Sequence, residues 1–442
     1  MNMKQQIKKL LPRRVFQTVE PTGHLLEAMA HSVRYGRPAR HMRVVGVTGT
    51  NGKTTTCFMI HRMLREAGMK VGLMTTVAYG VDDDIKPQIQ HMTSVSAPLL
   101  NRRLMEMKQQ GVEWLVLETT SHALAQSRVW GVPYEIAVMT NVTHEHLDYH
   151  GTFQKYKRAK RRLFELAGRS ATGFAIVNAD DAAAEDFLRA TGRGETYGIR
   201  KGTLQAKKIT LHSTGSNYRV VVEEDVYDIS CHIPGEFNVY NSLAAVAVGR
   251  RIGLTKQQIE RGIAALKMIE GRMMTIDEGQ PFTVIVDFAH TPDAFKRLLK
   301  DVRHSTKGKL VAVFGSAGRR DEAKRAIQGK IAGEYCDELV ITEEDNRDVD
   351  GATILRQIAG GAQMAGKEEG KTLFLIADRR EAIQYAMTRV STVEDTVILL
   401  GKGHEKTIER SDGAHPWNEI DEAKRAIYRS MKRDIIDEEE QR

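Results

Sequence analysis

Residues 48–55, with the sequence TGTNGKTT, have the types and spacing needed to bind phosphate groups. They follow a short apolar run at residues 44–47 and precede an apolar helical pattern, so they form a turn between a strand and a helix. Glycine lets successive backbone N–H groups face inward, the helix N-terminus adds partial positive charge, and the lysine adds a full charge. We therefore expect a nucleoside triphosphate to bind through Gly49, Thr50, Asn51, Gly52, Lys53, Thr54 and Thr55. The hydroxyl of Thr54 is also expected to hold Mg²⁺.

This loop departs from the general phosphate-loop pattern, because Val47 stands where the first glycine is expected. A glycine-rich turn without a ligand is the simpler alternative. The sequence TGTNGKT, however, resembles the variant loop of the Mur ligase and folylpolyglutamate synthetase superfamily, whose members use ATP to form amide bonds. The resemblance implies that ATP and Mg²⁺ are the cofactors.

An apolar strand at residues 114–118 ends in Glu118, which is where a phosphate-loop enzyme needs a ligand for Mg²⁺. A glutamate at the end of a strand is weak evidence by itself. The residues that follow, TTSHAL, resemble the segment E-V-S-S-H-A-L of the tripeptide synthetases of the Mur ligase family. The resemblance implies that a muramyl dipeptide acceptor is bound through Thr93, Ser94, Ser121, His122 and Arg128.

Three histidines lie within residues 144–150, which have the sequence HEHLDYH. Such a cluster can form a zinc site, and a polar loop at a strand end is the other interpretation. Residues 141–151 resemble the motif N-x-T-x-D/E-H-L-D-Y-H-G of the Mur ligases. The resemblance implies that His146 helps to hold a second Mg²⁺.

Lys160 lies ten residues beyond this motif, in a helical pattern that is rich in positive charge. Most such lysines face water. The surrounding segment resembles the family pattern Y-x-x-A-K-x-x-L-F, whose lysine is carbamylated by CO₂ and then ligates Mg²⁺. Carbamylation needs the neutral amine, so burial and neighbouring cations that lower the pKa of Lys160 would favour it.

Further segments resemble the nucleotide-binding motifs of the family. Asn238 begins the pattern N-x-x-N-x-x-A-A, whose first asparagine lies near adenine, although a helix cap is the alternative. Arg272, in the sequence GRM, is implied to contact the γ-phosphate, and Asp287, in DFAHTPD, is implied to lie near the ribose. These residues come from two predicted domains, so domain closure would assemble the site and exclude water from a labile acyl-phosphate.

The amino-acid site is implied by segments in the last third of the chain. The sequence VFGSAGRRD resembles V-F-G-x-G-G-x-R-D, and residues 401–405 match the motif G-K-G-H-E. The resemblance assigns Gly401 and Glu405 to the amino-acid substrate. Arg347 aligns with the arginine of D-D-N-P-R that binds the distal carboxylate of diaminopimelate, a role suited to a guanidinium. The two residues before Arg347 depart from that motif, so diaminopimelate stays a hypothesis.

Apolar strands alternate with amphipathic helices from residue 42 onwards, which is typical of parallel α/β architecture. Strands are predicted at residues 44–47, 71–75, 114–118, 136–141, 174–178, 283–287, 310–314, 339–342, 373–376 and 397–400. Helices are predicted around residues 7–11 and at 22–33, 54–67, 97–110, 152–167, 181–190, 239–249 and 256–266. Residues 205–233 alternate around the turn TGSN and predict a small antiparallel hairpin. The charged residues 437–442 are interpreted as a solvated tail.

We therefore predict an α/β protein with three parts. Residues 1–41 form a short N-terminal helical arm. Residues 42–269 form a central P-loop-type ATP-binding domain with a parallel sheet and a small antiparallel addition. Residues 270–442 form a Rossmann-like domain that binds the amino acid.

Composition limits the class of protein. The chain has 442 residues, of which 41% are hydrophobic and 28% charged, as expected of a soluble protein with two or three domains. No apolar run reaches the ~18 residues of a membrane helix, so we expect a cytoplasmic monomer. Three cysteines far apart argue against a disulfide framework or a zinc ribbon. The net charge of +8 is spread along the chain, which argues against nucleic acid as a partner.

These resemblances predict an ATP-dependent amide ligase in which Lys53, His146, Lys160 and Arg272 are catalytic. It would add an amino acid such as meso-diaminopimelate to a UDP-N-acetylmuramoyl-dipeptide through an acyl-phosphate, releasing ADP and phosphate. Only about 45 residues precede the loop, where tripeptide synthetases carry a uridine-binding domain, and this leaves an acceptor without UDP open. Two alternatives also stay open: a folylpolyglutamate-synthase-like or other divergent ligase with a non-UDP acceptor, and a non-catalytic nucleotide-binding regulator.

Overall fold

The computed structural model describes residues 13–88, 95–143, 145–212 and 214–440. These residues form two compact units, one built mainly from the chain up to Leu266 and the other mainly from the chain after it. The domain limits expected at residues 42 and 270 stay a prediction. Within the described residues, no helix is both long and apolar enough to cross a membrane.

The first unit is organised around an eleven-stranded sheet. Its strands are β1 Arg43–Thr48, β2 Val71–Met74, β3 Ala78–Val81, β4 Asp84–Pro87, β5 Trp114–Glu118, β6 Tyr134–Met139, β7 Phe174–Asn178, β8 Gly194–Gly198, β9 Leu204–His212, β10 Gly215–Val222 and β11 Asp225–Cys231. They lie in the order β11-β10-β9-β8-β7-β6-β1-β5-β2-β3-β4. The central strands β2, β5, β1, β6, β7 and β8 are parallel to one another.

The pairing of the central strands positions the site. Strand β1 is buried at every residue after Arg43, as expected of a parallel strand that is covered on both faces. Its register pairs Val47 with Glu118 of β5 and Thr48 with Met139 of β6. The loop that follows β1 therefore starts beside the carboxyl ends of both neighbouring strands, where ligands bind in open α/β sheets.

Nine helices and one short 3-10 helix, Pro38–His41, accompany this sheet in the described residues. The helices are α1 Arg13–Arg34, α2 Lys53–Glu66, α3 Ala97–Gln109, α4 Ser121–Ala125, α5 Leu147–His150, α6 Phe153–Gly168, α7 Ala184–Thr191, α8 Glu236–Ile252 and α9 Lys256–Ala264. Thr152 caps α6 by accepting a hydrogen bond from the backbone of Lys155, and Thr255 and Gln258 form a capping box at α9.

The second unit contains a six-stranded sheet in the order β12-β13-β17-β14-β15-β16 and a two-stranded sheet, β18-β19. Its strands are β12 Met274–Ile276, β13 Thr283–Asp287, β14 Leu310–Phe314, β15 Glu338–Ile341, β16 Leu373–Leu375, β17 Thr396–Leu400, β18 Thr407–Arg410 and β19 Gly413–Pro416. Its helices are α10 Pro292–Ser305, α11 Ala323–Tyr335, α12 Gly351–Met364, α13 Arg379–Met387 and α14 Glu419–Glu440. All pairs of the larger sheet are parallel except β12 with β13.

The predicted α/β class, with parallel sheets and an extension of short strands, is confirmed. The helix expected at residues 22–33 begins earlier, at Arg13, and the helix expected around residues 7–11 lies outside the described residues. The expected charged tail is wrong for residues 437–440, which continue α14. All three cysteines, Cys57, Cys231 and Cys336, are buried and unpaired.

Candidate active site

The loop between β1 and α2 has the backbone shape of a phosphate-binding turn. Gly49 and Gly52 have φ angles of 155° and 82°, which side chains other than hydrogen disfavour. A Cβ at Gly49 would collide with the hydroxyl of Thr140, and one at Gly52 would collide with the side chain of Asn241. Both conformation and close packing therefore require glycine at these two positions.

The residues after β6 hold this loop in place. Asn141 accepts hydrogen bonds from Thr50 N (2.8 Å, backbone carbonyl) and Asn51 N (2.9 Å, side-chain oxygen), and its amide donates to Asn51 O at 3.1 Å. The hydroxyl of Thr140 donates to the same carbonyl at 2.6 Å. The hydroxyl of Thr50 lies 3.0 Å from that of Tyr156. The loop is thus preorganised by neighbouring elements.

Thr54 and Glu118 form a pair of hard oxygen ligands beside the loop. The hydroxyl of Thr54 donates to Glu118 Oε2 at 2.9 Å, and Thr76 donates to both carboxylate oxygens at 3.0 Å through its N–H and hydroxyl groups. Glu118 is 3% exposed. This donor set fits Mg²⁺, which prefers carboxylate and hydroxyl oxygen together with phosphate oxygens. Lys53 starts α2 and donates to Thr50 O at 2.8 Å.

Lys160 reaches the same loop from α6. It is 2% exposed, and its ammonium nitrogen lies 2.5 Å from Gly49 O. Burial, followed by the charge of Lys53, lowers the pKa of Lys160 well below its ordinary value. The neutral amine that carbamylation needs is therefore favoured.

The predicted acceptor residues and His146 form an aromatic cluster after β5 and β6. The ring centroid of His122 lies 4.7 Å from that of His146 and 4.4 Å from that of Tyr149. His150 Nε2 lies 3.0 Å from the hydroxyl of Ser121. His146 has a φ of 54°, a strained conformation for a residue other than glycine. Among the described residues, no group of three or more His, Cys, Asp and Glu side chains is placed to hold a metal ion.

Asn238 lies on the other side of the loop. Its side-chain oxygen accepts from Asn241 at 2.8 Å, and Asn241 in turn accepts from Thr56 at 3.3 Å. Asn238 is 1% exposed, so it fixes the orientation of Asn241 against Gly52. Burial lowers the pKa of Arg128, another predicted acceptor residue. Thr93 and Ser94 lie outside the described residues.

Arg272 and Asp287 lie together in the second unit. The guanidinium carbon of Arg272 is 4.7 Å from the ring centroid of Phe288. Asp287 accepts hydrogen bonds from the N–H groups of Met273 at 2.8 Å and Ala289 at 2.7 Å. Burial raises the pKa of Asp287, although Arg272 and the two N–H groups oppose this effect.

Glu405 belongs to a buried network of charges in the second unit. Lys402, which is fully buried, donates to Glu405 at 2.6 Å and to Asp345 at 2.9 Å. Burial would lower the pKa of Lys402, but the two carboxylates raise it above its ordinary value. Gly401 has a φ of 100°, and a Cβ there would lie 2.7 Å from the carboxylate of Glu344. Burial raises the pKa of Glu344.

Arg347 already contacts protein groups. Its Nε donates to Glu409 at 2.7 Å and its Nη1 donates to Gly318 O at 2.8 Å. The residue has a φ of 55° and its backbone N–H donates to Glu409 O at 2.9 Å. Glu409 therefore holds the arginine that sequence assigned to a distal carboxylate.

In the first unit the structure brings together Gly49–Thr55, Glu118, Lys160 and Asn238, and it groups Ser121 and His122 with His146. In the second unit Arg272 lies beside Asp287, and Glu405 and Arg347 both neighbour Asp345. Sequence reasoning did not single out Thr76, Thr140, Asn141, Lys402 or Glu409. Asn141 and Lys402 stand inside quoted motifs, whereas nothing in the local sequence marks Thr76 or Glu409.

Comparison with known proteins gives a consistent result. The family model of the Mur ligase middle domain matches residues 47–249, and that of the Mur ligase glutamate ligase domain matches residues 271–403. A UDP-N-acetylmuramyl-tripeptide synthetase from Roseiflexus sp. (strain RS-1) is 41% identical over 424 residues, covering 92% of this chain and 82% of the relative. A UDP-N-acetylmuramoyl-L-alanyl-D-glutamate–2,6-diaminopimelate ligase from Geobacillus kaustophilus is 39% identical over 377 residues, covering 84% and 76%.

Solved structures share the fold. A structure of a UDP-N-acetylmuramoyl-L-alanyl-D-glutamate–2,6-diaminopimelate ligase superposes with a TM-score of 0.61 at 30% identity, covering 88% of this chain and 79% of that one. A folylpolyglutamate synthase from Mycobacterium tuberculosis, complexed with ADP, gives a TM-score of 0.70 at 17% identity, covering 86% and 92%. At 17% identity the likeness is one of fold alone.

Proposed function

Since the chain belongs to the Mur ligase family and is an ATP-dependent carbon–nitrogen ligase, we propose that it adds a diamino acid to UDP-N-acetylmuramoyl-L-alanyl-D-glutamate. The amino acid we propose is meso-diaminopimelate, because relatives that match over most of this chain carry its name. We further propose that the enzyme acts as a cytoplasmic monomer.

One observation carries the proposal within the structure. The hydroxyl of Thr54 lies 2.9 Å from the carboxylate of Glu118, directly after the charged Lys53 and at the N-terminus of α2. This arrangement joins a phosphate-binding turn to a ligand pair for Mg²⁺, as phosphoryl transfer from ATP requires. A nucleotide-binding regulator needs only the first of these two features.

In the first step a carboxylate oxygen of the acceptor attacks the γ-phosphorus of ATP, and ADP leaves. The inward N–H groups of residues 49–54 bind the phosphates, and the ammonium of Lys53 offsets charge on the transferred group. Thr54, Glu118, His146 and, as its carbamate, Lys160 are the residues that would hold Mg²⁺. Bound there, Mg²⁺ would neutralise phosphate charge and polarise the phosphoryl oxygens.

In the second step the amine attacks the acyl carbon, the bond from carbon to the phosphate oxygen breaks, and the nitrogen loses a proton. Neither step needs a protein nucleophile. We assign Arg347, Gly401 and Glu405 to the amino acid, Arg272, Asp287 and Asn238 to the nucleotide, and Thr93, Ser94, Ser121, His122 and Arg128 to the acceptor.

The test is release of phosphate from ATP and Mg²⁺ with UDP-N-acetylmuramoyl-L-alanyl-D-glutamate, comparing meso-diaminopimelate, lysine and no amino acid. We expect release that depends on both the acceptor and diaminopimelate. Lys53→Ala should abolish it, whereas Lys155→Ala, which removes an exposed lysine of α6, should not. Release that ignores the acceptor, or full activity of Lys53→Ala, would contradict the proposal.

A further inference from the structure

Arg103 is a buried arginine without an acidic partner among the described residues. It lies in α3, is 7% exposed, and its Nη1 has no hydrogen-bond acceptor. Its guanidinium carbon is 3.4 Å from the ring centroid of Tyr79, so the planar group stacks on the aromatic face. The preceding residue, Arg102, is exposed and pairs with Glu106. The two neighbouring arginines therefore have opposite environments.

An unpaired buried cation is costly, because it loses hydration without gaining a counter-charge. Burial lowers the pKa of Arg103, in agreement with this loss. The undescribed segment 89–94, which follows Gln88, has the sequence IQHMTS and contributes no carboxylate. The stacked ring offsets only part of the cost, so an anion that is not part of this chain is needed to complete the site.

Arg103 lines a cleft in the first unit that has about 320 Å³ of empty space. Gln88, which is 9% exposed, also lines the cleft, and its side-chain oxygen has no hydrogen-bond donor. Glu118 is a third lining residue. Since Thr54 of the phosphate loop donates to Glu118, a ligand in this cleft lies next to the group that would receive the phosphoryl.

We propose that this cleft is a carboxylate subsite, in which Arg103 binds a second carboxylate of the acceptor while the first is phosphorylated. The oxygen of Gln88 accepts the amide N–H that adjoins this carboxylate. The occupant is thus a peptide that ends in a dicarboxylic amino acid. The inference rests on the proposed function and names the part of the acceptor that the site selects.

The experiment measures binding by calorimetry with a non-hydrolysable ATP analogue present. The ligands are UDP-N-acetylmuramoyl-L-alanyl-D-glutamate and its D-isoglutamine form, in which an amide replaces one carboxylate. The wild type should bind the dicarboxylate about 10- to 100-fold more tightly, as expected of a charge-assisted bidentate contact. Arg103→Met should remove this preference, and Arg103→Lys should retain part of it, because an ammonium keeps the charge without the fork.

Arg102→Met is the matched control, since it removes a charge from the same helix turn but from its exposed face. It should leave the preference unchanged. A purely structural role for Arg103 would lower the melting temperature of Arg103→Met and weaken both ligands equally. Equal affinity of the wild type for the two ligands, including no binding of either, overturns the inference, as does an unchanged preference in Arg103→Met.

The readout needs no turnover, so it separates the two proposals. An Arg103-dependent preference without phosphate release leaves the subsite standing and overturns the proposed reaction. Phosphate release by a wild type that shows no preference does the reverse.

Discussion

Individual residues set the chemistry of this enzyme through their burial. Lys160 is the clearest case, because a lysine in contact with Gly49 O at 2.5 Å and with 2% exposure is held close to its neutral form. A neutral amine can attack CO₂, and the resulting carbamate turns a potential cation into an anion beside the phosphate loop.

Lys160→Ala should lower phosphate release about 100-fold, as loss of a metal-orienting group does, and acetate or formate should restore part of it. The reason is that a small carboxylate can occupy the space left by the carbamate. Lys155→Ala, an exposed position of the same helix, is the control. Equal activity of both variants, or no response to either acid, would count against carbamylation.

Glu409 is expected to tune the choice of amino acid. Its carboxylate pairs with Arg347 at 2.7 Å and so neutralises charge that would attract a distal carboxylate. Glu409→Gln should lower the KM for diaminopimelate about fivefold, the effect of one partly exposed ion pair, and leave the KM for lysine unchanged. Phosphate release measures both constants, and Glu368→Gln, which breaks an exposed pair with Lys371, is the control. Parallel changes with both amino acids would refute this role.

At the scale of elements, one buried ion pair organises the second unit. Arg379, at the start of α13, donates to Glu419 at the start of α14 at 2.6 Å, and both side chains are fully buried. The same guanidinium donates to the carbonyls of Glu343, after β15, at 3.1 Å and Leu400, at the end of β17, at 2.7 Å. It thereby fixes the loops that carry Glu344 and Gly401.

Arg379→Ala should lower the free energy of unfolding by about 3–5 kcal/mol, because it leaves the carboxylate of Glu419 buried without its partner. Arg380→Ala, which breaks the more exposed pair with Glu422, should cost less than about 1 kcal/mol. Urea unfolding monitored by tryptophan fluorescence reports both, since Trp417 Nε1 donates to Glu419 at 2.7 Å. Similar losses in the two variants would show that the buried pair is not the main contact.

The sequence predicted the buried elements well and the edges poorly. Strands such as β1, β5 and β14 are continuous apolar runs, which makes them visible without any knowledge of their neighbours. Strands β3 and β4 were not predicted, because they are four residues long and lie at the edge of the sheet, where β4 has no buried residue. Short exposed strands carry little pattern.

The same limit applies to the site. Gly49, Lys53 and Glu118 were predictable from local spacing and from family motifs, and their geometry fits the predicted roles, which stay predictions. Thr76 was not predictable, because its contact with Glu118 joins residues 42 positions apart. Partners of this kind depend on strand order, which local periodicity does not contain.

For the whole molecule, buried neutral histidines are expected to set the acid limit of stability. Burial lowers the pKa of His61 and of His290 to about 4 and that of His404 to about 3, from an ordinary value of 6.5. As pH falls below 6.5, the unfolded chain binds protons that the folded chain refuses. The stability is therefore fully present above pH 6.5 and is lost progressively towards pH 4.

His61→Gln tests this in the first unit. Between pH 7 and pH 5 the wild type should lose about 2 kcal/mol more unfolding free energy than the variant, since the variant lacks one proton-binding group. Denaturant titrations at the two pH values measure the difference, and His304→Gln, at an exposed histidine, is the control. An equal pH dependence in wild type and His61→Gln would contradict the assignment.

The burial of all three cysteines makes this protein a ready host for spectroscopic labels. Burial raises the pKa of the Cys57 thiol and raises that of Cys336 to about 12, so neither forms a reactive thiolate at neutral pH. One cysteine introduced on the surface of each unit would then be the sole target of maleimide dyes. Energy transfer between the two dyes would follow the approach of the units as nucleotide, acceptor and amine are added in turn.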